Sequence, residues 1–219
     1  MSTTGIQAFI FDMDGTIVNN IPYHTRAWLQ FLSKYNIHIE ENELYPKIFG
    51  VNEEIMPRFF GEDLSPERSI SLGHEKEEFY RSLYKDVIEE LSGLKHLLQI
   101  ARERNIAIAL ATMSDIQNIS FIIDKLDLRS WFDVIVGAEH ITKGKPHPEI
   151  YELVLSMLKI KSGDAIVFED SQGGVLSAMA AGIKVIGICT THSKQQFKEW
   201  GVELCINDFE EYIANYMDK

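Results

Sequence analysis

The sequence predicts an α/β fold, a doubly wound parallel sheet with a helical cap inserted after the first strand. Three observations predict it. Short runs along the 219 residues are apolar on both faces instead of alternating, the mark of strands buried in a parallel sheet. Helical patterns separate most of these runs, as right-handed crossovers require. One long interval carries helical patterns and no strand pattern. Its position divides the chain into a catalytic core of residues 1–18 and 87–219 and a helical cap of residues 19–86.

The first run is IQAFIF, Ile6–Phe11, and two aspartates, Asp12 and Asp14, follow it before Gly15. Then comes the helical interval. IPYHTRAWLQFLSKY reads as an amphipathic helix with Pro22 near its start, and two shorter helical pieces lie near Glu43–Phe49 and Glu53–Phe60. PERSISLGHEKEEFYRSLYKDVIEEL reads as one long helix that contains Gly73. The remaining runs are IAIALAT (Ile106–Thr112), DVIVG (Asp133–Gly137), DAIVFED (Asp164–Asp170), KVIGIC (Lys184–Cys189) and ELCI (Glu203–Ile206). The core helices are expected over Leu94–Arg104, Asp115–Leu126, Pro148–Leu158 and Gly174–Ala181.

Composition bounds the function. Hydrophobic residues make up 45% and charged residues 25%, an ordinary globular balance. A formal net charge of −12 excludes a general electrostatic footprint for nucleic acid. The two cysteines, Cys189 and Cys205, show no metal spacing and are expected as buried thiols in a reducing compartment. MSTTGIQAF has no basic segment and no long apolar stretch, and no run approaches the roughly 18 apolar residues of a spanning helix. The expectation is a cytoplasmic monomer with no membrane and no nucleic-acid partner.

Ligands of open parallel sheets bind beyond the carboxyl ends of the strands. The first strand exits into Asp12 and Asp14, the second into Thr112 and Ser114, and the fourth into Glu169 and Asp170. The loop after the third reaches Lys143 and Lys145. Carboxylates this close raise one another's pKa, and a hard divalent cation relieves the repulsion. DMDG is not a calcium loop, because Gly15 stands at the fourth position instead of the sixth and Tyr23 replaces the bidentate glutamate. Taken alone, the Asp12–Asp14 pair also reads as local turn caps, Thr112 as an ordinary strand end and Lys145 as a solvated loop lysine. Together they suggest an anion beside a metal. Neither a GxxxxGK[ST] nor a GxGxxG pattern occurs.

The chain resembles the haloacid dehalogenase superfamily over nearly its whole length. Asp12-x-Asp14-Gly15-Thr16 matches that family's first motif, Thr112 its second, Lys145 in KPHPEIY its third, and Glu169-Asp170 in VFEDSQGGVLSAMAAGI its fourth. The helical insert resembles the small cap of the β-phosphoglucomutase-like branch. The resemblance implies a Mg²⁺-dependent enzyme that works through an aspartyl-phosphate on a small phosphorylated metabolite such as a sugar phosphate. Asp12 would be the nucleophile and Asp14 the acid and then the base, with Thr112 and Lys145 on the phosphoryl group. Mg²⁺ would be held by Asp12, the Asp14 backbone carbonyl and Asp170, with Glu169 near or in its shell.

His24, Trp28 and Lys76 fall where the β-phosphoglucomutase pattern places a His, a Trp and a Lys lining the cavity, and Gly50 of the cap and Ser114, at the exit of the second strand, are further expected substrate contacts. Read as residues alone, His24 is also a partly exposed helix residue, Trp28 cap core and Lys76 a surface ion-pair partner. One departure bears on the activity. Where the mutase pattern expects a phosphate-gripping arginine, this sequence has Glu53, with Arg58 one helical turn further on. Glu53 favours hydrolysis of a monophosphate over a β-phosphoglucomutase-type transfer. A non-catalytic phosphate-binding relative is the remote alternative.

Overall fold

A computed structural model describes residues 5–48 and 52–217. It contains six parallel strands, β1 (Ala8–Phe11), β2 (Ala107–Ala111), β3 (Val134–Val136), β4 (Ala165–Glu169), β5 (Lys184–Ile188) and β6 (Cys205–Ile206). They form one sheet in the order β3-β2-β1-β4-β5-β6. The chain therefore builds outward from β1 through β2 to β3. It then crosses back to lay β4 on the other side of β1, so the order reverses between β1 and β4. In register, Phe11 pairs with Leu110 on one side and Phe168 on the other.

The apolar runs are apolar on both faces because both faces are covered. Ala8 and Ile10 turn to one face and pack with Ala109, Ala111, Val167 and Val185. Phe9 and Phe11 turn to the other, where Phe11 stacks on Phe168 at 4.9 Å and Phe9 meets Tyr212 edge-on at 6.3 Å. Such aromatic pairs add about 0.5–1.5 kcal/mol each beyond burial. Strands are shorter than the apolar runs, ELCI most of all, which pairs only over Cys205–Ile206.

The helices are α1 (Ile21–Lys34), α2 (Glu41–Leu44), α3 (Asn52–Ile55), α4 (Pro57–Phe60), α5 (Pro66–Tyr84), α6 (Leu94–Glu103), α7 (Ile116–Lys125), α8 (Glu149–Leu158), α9 (Gln172–Ala180), α10 (Lys194–Glu199) and α11 (Phe209–Tyr212). The chain forms two compact units, divided between Asn19 and Asn20 and again between Ile88 and Glu89. α1 to α5 make up the helical unit, and the sheet with α6 to α11 makes up the other.

In the helical unit α1 packs on α5 around Trp28, Phe31, Leu32, Leu44, Ile55, Met56 and Leu72. Pro22 stands in the first turn of α1, where its missing N–H costs nothing. α5 is capped by Ser65, whose hydroxyl accepts from the Arg68 N–H. Its buried stripe is Ser69, Leu72, Gly73, Lys76, Glu77, Tyr80 and Tyr84, so Gly73 lies on the packed face and the helix runs through it.

The long helix expected to Leu91 ends instead at Tyr84. The N–H of Leu91 is donated to the Ile17 carbonyl at 2.8 Å, which a continuing helix would forbid. No described helix is long and apolar enough to cross a membrane. Cys189 and Cys205 are free and half-buried, and burial pushes the Cys205 thiol up to about 11.

Candidate active site

Register brings the first carboxylates together. One step beyond the Phe11–Phe168 pair the chain reaches Asp12, just past the end of β1, and Glu169, the last residue of β4, and the Asp12 N–H is donated to the Phe168 carbonyl at 3.1 Å. The two residues stand at the point where the strand order reverses, which is where open α/β sheets bind ligands. Asp12, Glu169 and Asp170 are all buried, and a ligating oxygen from each lies within 4.8 Å of the others.

Lys145 enters this cluster from the loop between β3 and α8. The Glu149 carboxylate at the start of α8 shapes that loop, accepting from the Thr142 N–H at 2.9 Å and the Lys143 N–H at 2.8 Å. Lys145 Nζ then donates to Asp12 Oδ1 at 2.7 Å, Glu169 Oε1 at 2.6 Å and the Ala111 carbonyl at 3.1 Å.

Glu169 is fully enclosed. Its Oε1 also accepts from the Tyr151 hydroxyl at 3.0 Å, and its Oε2 accepts from the Ser171 N–H at 3.1 Å and hydroxyl at 3.0 Å. A Cβ at position 174 would overlap the Glu169 carboxylate, so the first turn of α9 comes this close only because residue 174 is glycine.

Asp170 is held differently. Its Oδ2 accepts from the Thr191 hydroxyl at 2.5 Å, and its backbone carbonyl accepts from His192 Nδ1 at 2.9 Å. A Cβ on Gly15, whose φ is +80°, would overlap the Asp170 carboxylate. Asp14 sits apart from the three-carboxylate cluster, its Oδ2 accepting from the Ser114 hydroxyl at 2.5 Å. The Ser114 N–H in turn is donated to Thr112 Oγ1 at 3.1 Å, which leaves the Thr112 hydroxyl proton to be donated elsewhere.

The electrostatics are unbalanced. Three buried carboxylates face one buried ammonium. Burial first, then Glu169, Asp170 and Asp14, push the Asp12 carboxyl well above its ordinary value, and Lys145 pulls it back. Burial and Glu169 push Asp170 up to about 8, against the Thr191 hydroxyl and Lys145. Burial pulls the Lys145 ammonium down, but Asp12 and Glu169 outweigh it and hold Lys145 well above the lysine range. An all-oxygen donor set with surplus negative charge fits a hard divalent cation. Glu169 has both oxygens engaged by Lys145, Tyr151 and Ser171, so Asp12 and Asp170 are the carboxylates best able to ligate one.

The structure thus brings Asp12, Lys145, Glu169 and Asp170 into direct or near contact, and links Asp14, Ser114 and Thr112 in a second chain of hydrogen bonds. Within the helical unit it joins His24, Trp28 and Lys76. Lys76 Nζ lies 3.0 Å from His24 Nδ1, 2.9 Å from Glu77 Oε1 and 5.0 Å from the Trp28 ring centroid. Lys76 is only 3% exposed, so it is a buried ion-pair partner and not a surface one. Trp28 belongs to the hydrophobic core of this unit. Gly50 lies outside the described residues, and Glu53 is described only as part of the α3 backbone. Sequence reasoning missed Tyr151, Thr190, Thr191 and His192. The last three follow the fifth strand, so their signal in the sequence is their place at a strand exit.

Comparison with known proteins agrees with the fold. The family model for haloacid dehalogenase-like hydrolases matches residues 9–188. The chain belongs to the haloacid dehalogenase-like hydrolase family. It is 32% identical to a phosphorylated carbohydrates phosphatase of Thermotoga maritima, over 83% of this chain and 84% of that one. It is 28% identical to a β-phosphoglucomutase of Bacillus subtilis, over 84% of this chain and 83% of that one. A crystal structure of a family IA, variant 3 hydrolase from Entamoeba histolytica superposes with a TM-score of 0.87. That protein is 29% identical, and the match covers 94% of this chain and 95% of that one. The resemblance to the β-phosphoglucomutase-like branch, read from four motifs and the helical insert, is borne out.

Proposed function

We propose that this protein is a Mg²⁺-dependent phosphatase that hydrolyses a small phosphorylated carbohydrate through an aspartyl-phosphate on Asp12. The observation that carries the reading is the division between Asp12 and Asp14. Asp12 is locked by Lys145 within a buried acidic cluster, while Asp14, two residues on, is turned to Ser114. One carboxylate is thereby oriented as a nucleophile and the other as a proton carrier.

Asp12 Oδ1 is occupied by Lys145, so the second oxygen attacks phosphorus while the bond to the leaving oxygen breaks. Asp14, in its acid form, gives its proton to that oxygen. The Asp14 carboxylate then takes a proton from the water that attacks the acyl phosphate, releasing inorganic phosphate and restoring Asp12. Thr112 donates to a phosphoryl oxygen, and the Lys145 charge offsets the negative charge that builds there. Asp12, the Asp14 carbonyl and Asp170 would hold Mg²⁺, with Glu169 fixing Lys145 behind them. The chemistry the cation supplies is charge neutralisation on the phosphoryl oxygens and alignment of the phosphate with Asp12. The phosphatase named among the relatives supports a carbohydrate substrate.

The test is phosphate release from a panel of sugar monophosphates with Mg²⁺ and in excess chelator, for wild type and Asp12→Asn. Turnover that needs Mg²⁺ and is lost in the isosteric amide is expected. More than a few per cent of activity in Asp12→Asn overturns the nucleophile assignment. The likeness to the Bacillus subtilis mutase favours a second reading, transfer to sugar in place of water. Isomerised product exceeding free phosphate in the same panel would select it.

A further inference from the structure

We propose that the Thr190–Thr191–His192 turn beyond β5 is a further working part of this site, and that Thr191 is a positioning residue that sets the Asp170 carboxylate for a divalent cation. The proposal rests on the cation reading above.

The three residues reach two different strand exits. Thr190 Oγ1 donates to the Gly15 carbonyl at 2.5 Å, on the turn that leaves β1. Thr191 Oγ1 donates to Asp170 Oδ2 at 2.5 Å, and His192 Nδ1 lies 2.9 Å from the Asp170 carbonyl, at the exit of β4. A carbonyl only accepts, so Nδ1 carries the imidazole proton. The His192 ring is itself fixed, edge-on to Trp200 at 4.9 Å and to Phe197 at 6.5 Å.

Asp170 needs such a holder. It is 2% exposed, so bulk water does not orient it. Lys145 serves Asp12 and Glu169, while the Thr191 hydroxyl is the hydrogen-bond donor on the Asp170 side chain among the described residues. The carboxylate rests on the Gly15 backbone, where even a Cβ would not fit. Gly15 therefore backs the carboxylate and the Thr191 hydroxyl fixes its rotation. Small hard cations tolerate little error in ligand placement, and outer partners that orient ligands typically change affinity about 10–100-fold. A neutral hydroxyl suits the task, because it orients the carboxylate without cancelling the charge that attracts the cation.

The experiment is isothermal titration of Mg²⁺ into the metal-free full chain for wild type, Thr191→Val, Thr191→Ser and His192→Phe, with melting in chelator to verify folding. Turnover against Mg²⁺ concentration is measured alongside. Thr191→Val is expected to bind Mg²⁺ about tenfold or more weakly, and Thr191→Ser within about twofold of wild type. In Thr191→Val the half-saturating Mg²⁺ concentration rises by the same factor, while kcat at saturating Mg²⁺ falls much less. Equal Mg²⁺ affinity in Thr191→Val and wild type overturns the proposal. So does a serine variant as weak as the valine, which would credit the methyl group instead of the hydroxyl. If Thr191→Val does not fold, His192→Phe decides, because an unchanged affinity there removes the turn from the site. Wild type that binds no Mg²⁺ would instead refute the cation reading itself.

Discussion

Replacing Lys145 by methionine tests the centre of the site, because the side chain keeps its length and loses its charge. The ammonium lies 2.7 Å from Asp12 and 2.6 Å from Glu169, and at an effective dielectric near 20 each attraction is about 6 kcal/mol before desolvation. Both carboxylates are buried, so the loss is not screened away. Breaking a buried pair by removing one partner costs about 3–5 kcal/mol, mostly because the remaining charges are stranded. In a chain of this size each kcal/mol moves Tm by about 2–4 °C, so a fall of about 6–20 °C is expected. Lys145 is also the group that pulls the Asp12 carboxyl down, so the variant holds Asp12 protonated over a wider pH range and loses its nucleophile. The assay is thermal melting in excess chelator, so that no cation replaces the ammonium. Lys145→Met/Glu169→Gln is measured in the same series. The double variant strands one carboxylate fewer and should recover part of the lost stability, as coupled neighbours do. A fall below about 2 °C in the single variant, or simply additive losses in the double, would refute the bridge as a source of stability.

Asp14→Asn should lower turnover of alkyl phosphates about 100-fold or more, and that of an aryl phosphate less, since a phenolate leaves with little protonation. Single-turnover phosphorylation of Asp12 by the two substrate types checks this, and equal losses would contradict the acid role. Glu53→Arg should raise interconversion of β-glucose 1-phosphate and glucose 6-phosphate relative to phosphate release, because arginine grips a phosphate bidentately and glutamate repels it. A coupled glucose 6-phosphate assay with phosphate measured in parallel reads the ratio. Efficient mutase activity in wild type, unchanged in the variant, would move the grip to another cation, Arg58 first.

The sequence by itself determined the strands, most of the helices and the acidic residues that stand as candidates at the strand exits. These rest on local signals. Burial on both faces makes β1 and β4 continuously apolar, and Asp12, Glu169 and Asp170 are conspicuous because charge follows directly on such runs. The stop of α5 at Tyr84 was not legible, because it is set by the Leu91–Ile17 hydrogen bond across the chain and not by propensity within KDVIEEL. What each site residue touches was likewise decided only in three dimensions. Ser114 reads as a substrate contact in the sequence, and the fold turns its hydroxyl to Asp14, 100 positions away. Tyr151 reads as an ordinary helix residue, and the placement of α8 brings its hydroxyl to Glu169. Thr191 follows the fifth strand and meets Asp170 only because β5 lies beside β4. Periodicity and charge are properties of neighbours along the chain, so a sequence carries them openly. Hydrogen bonds between strand exits depend on strand order and register, which the packing of the whole sheet selects.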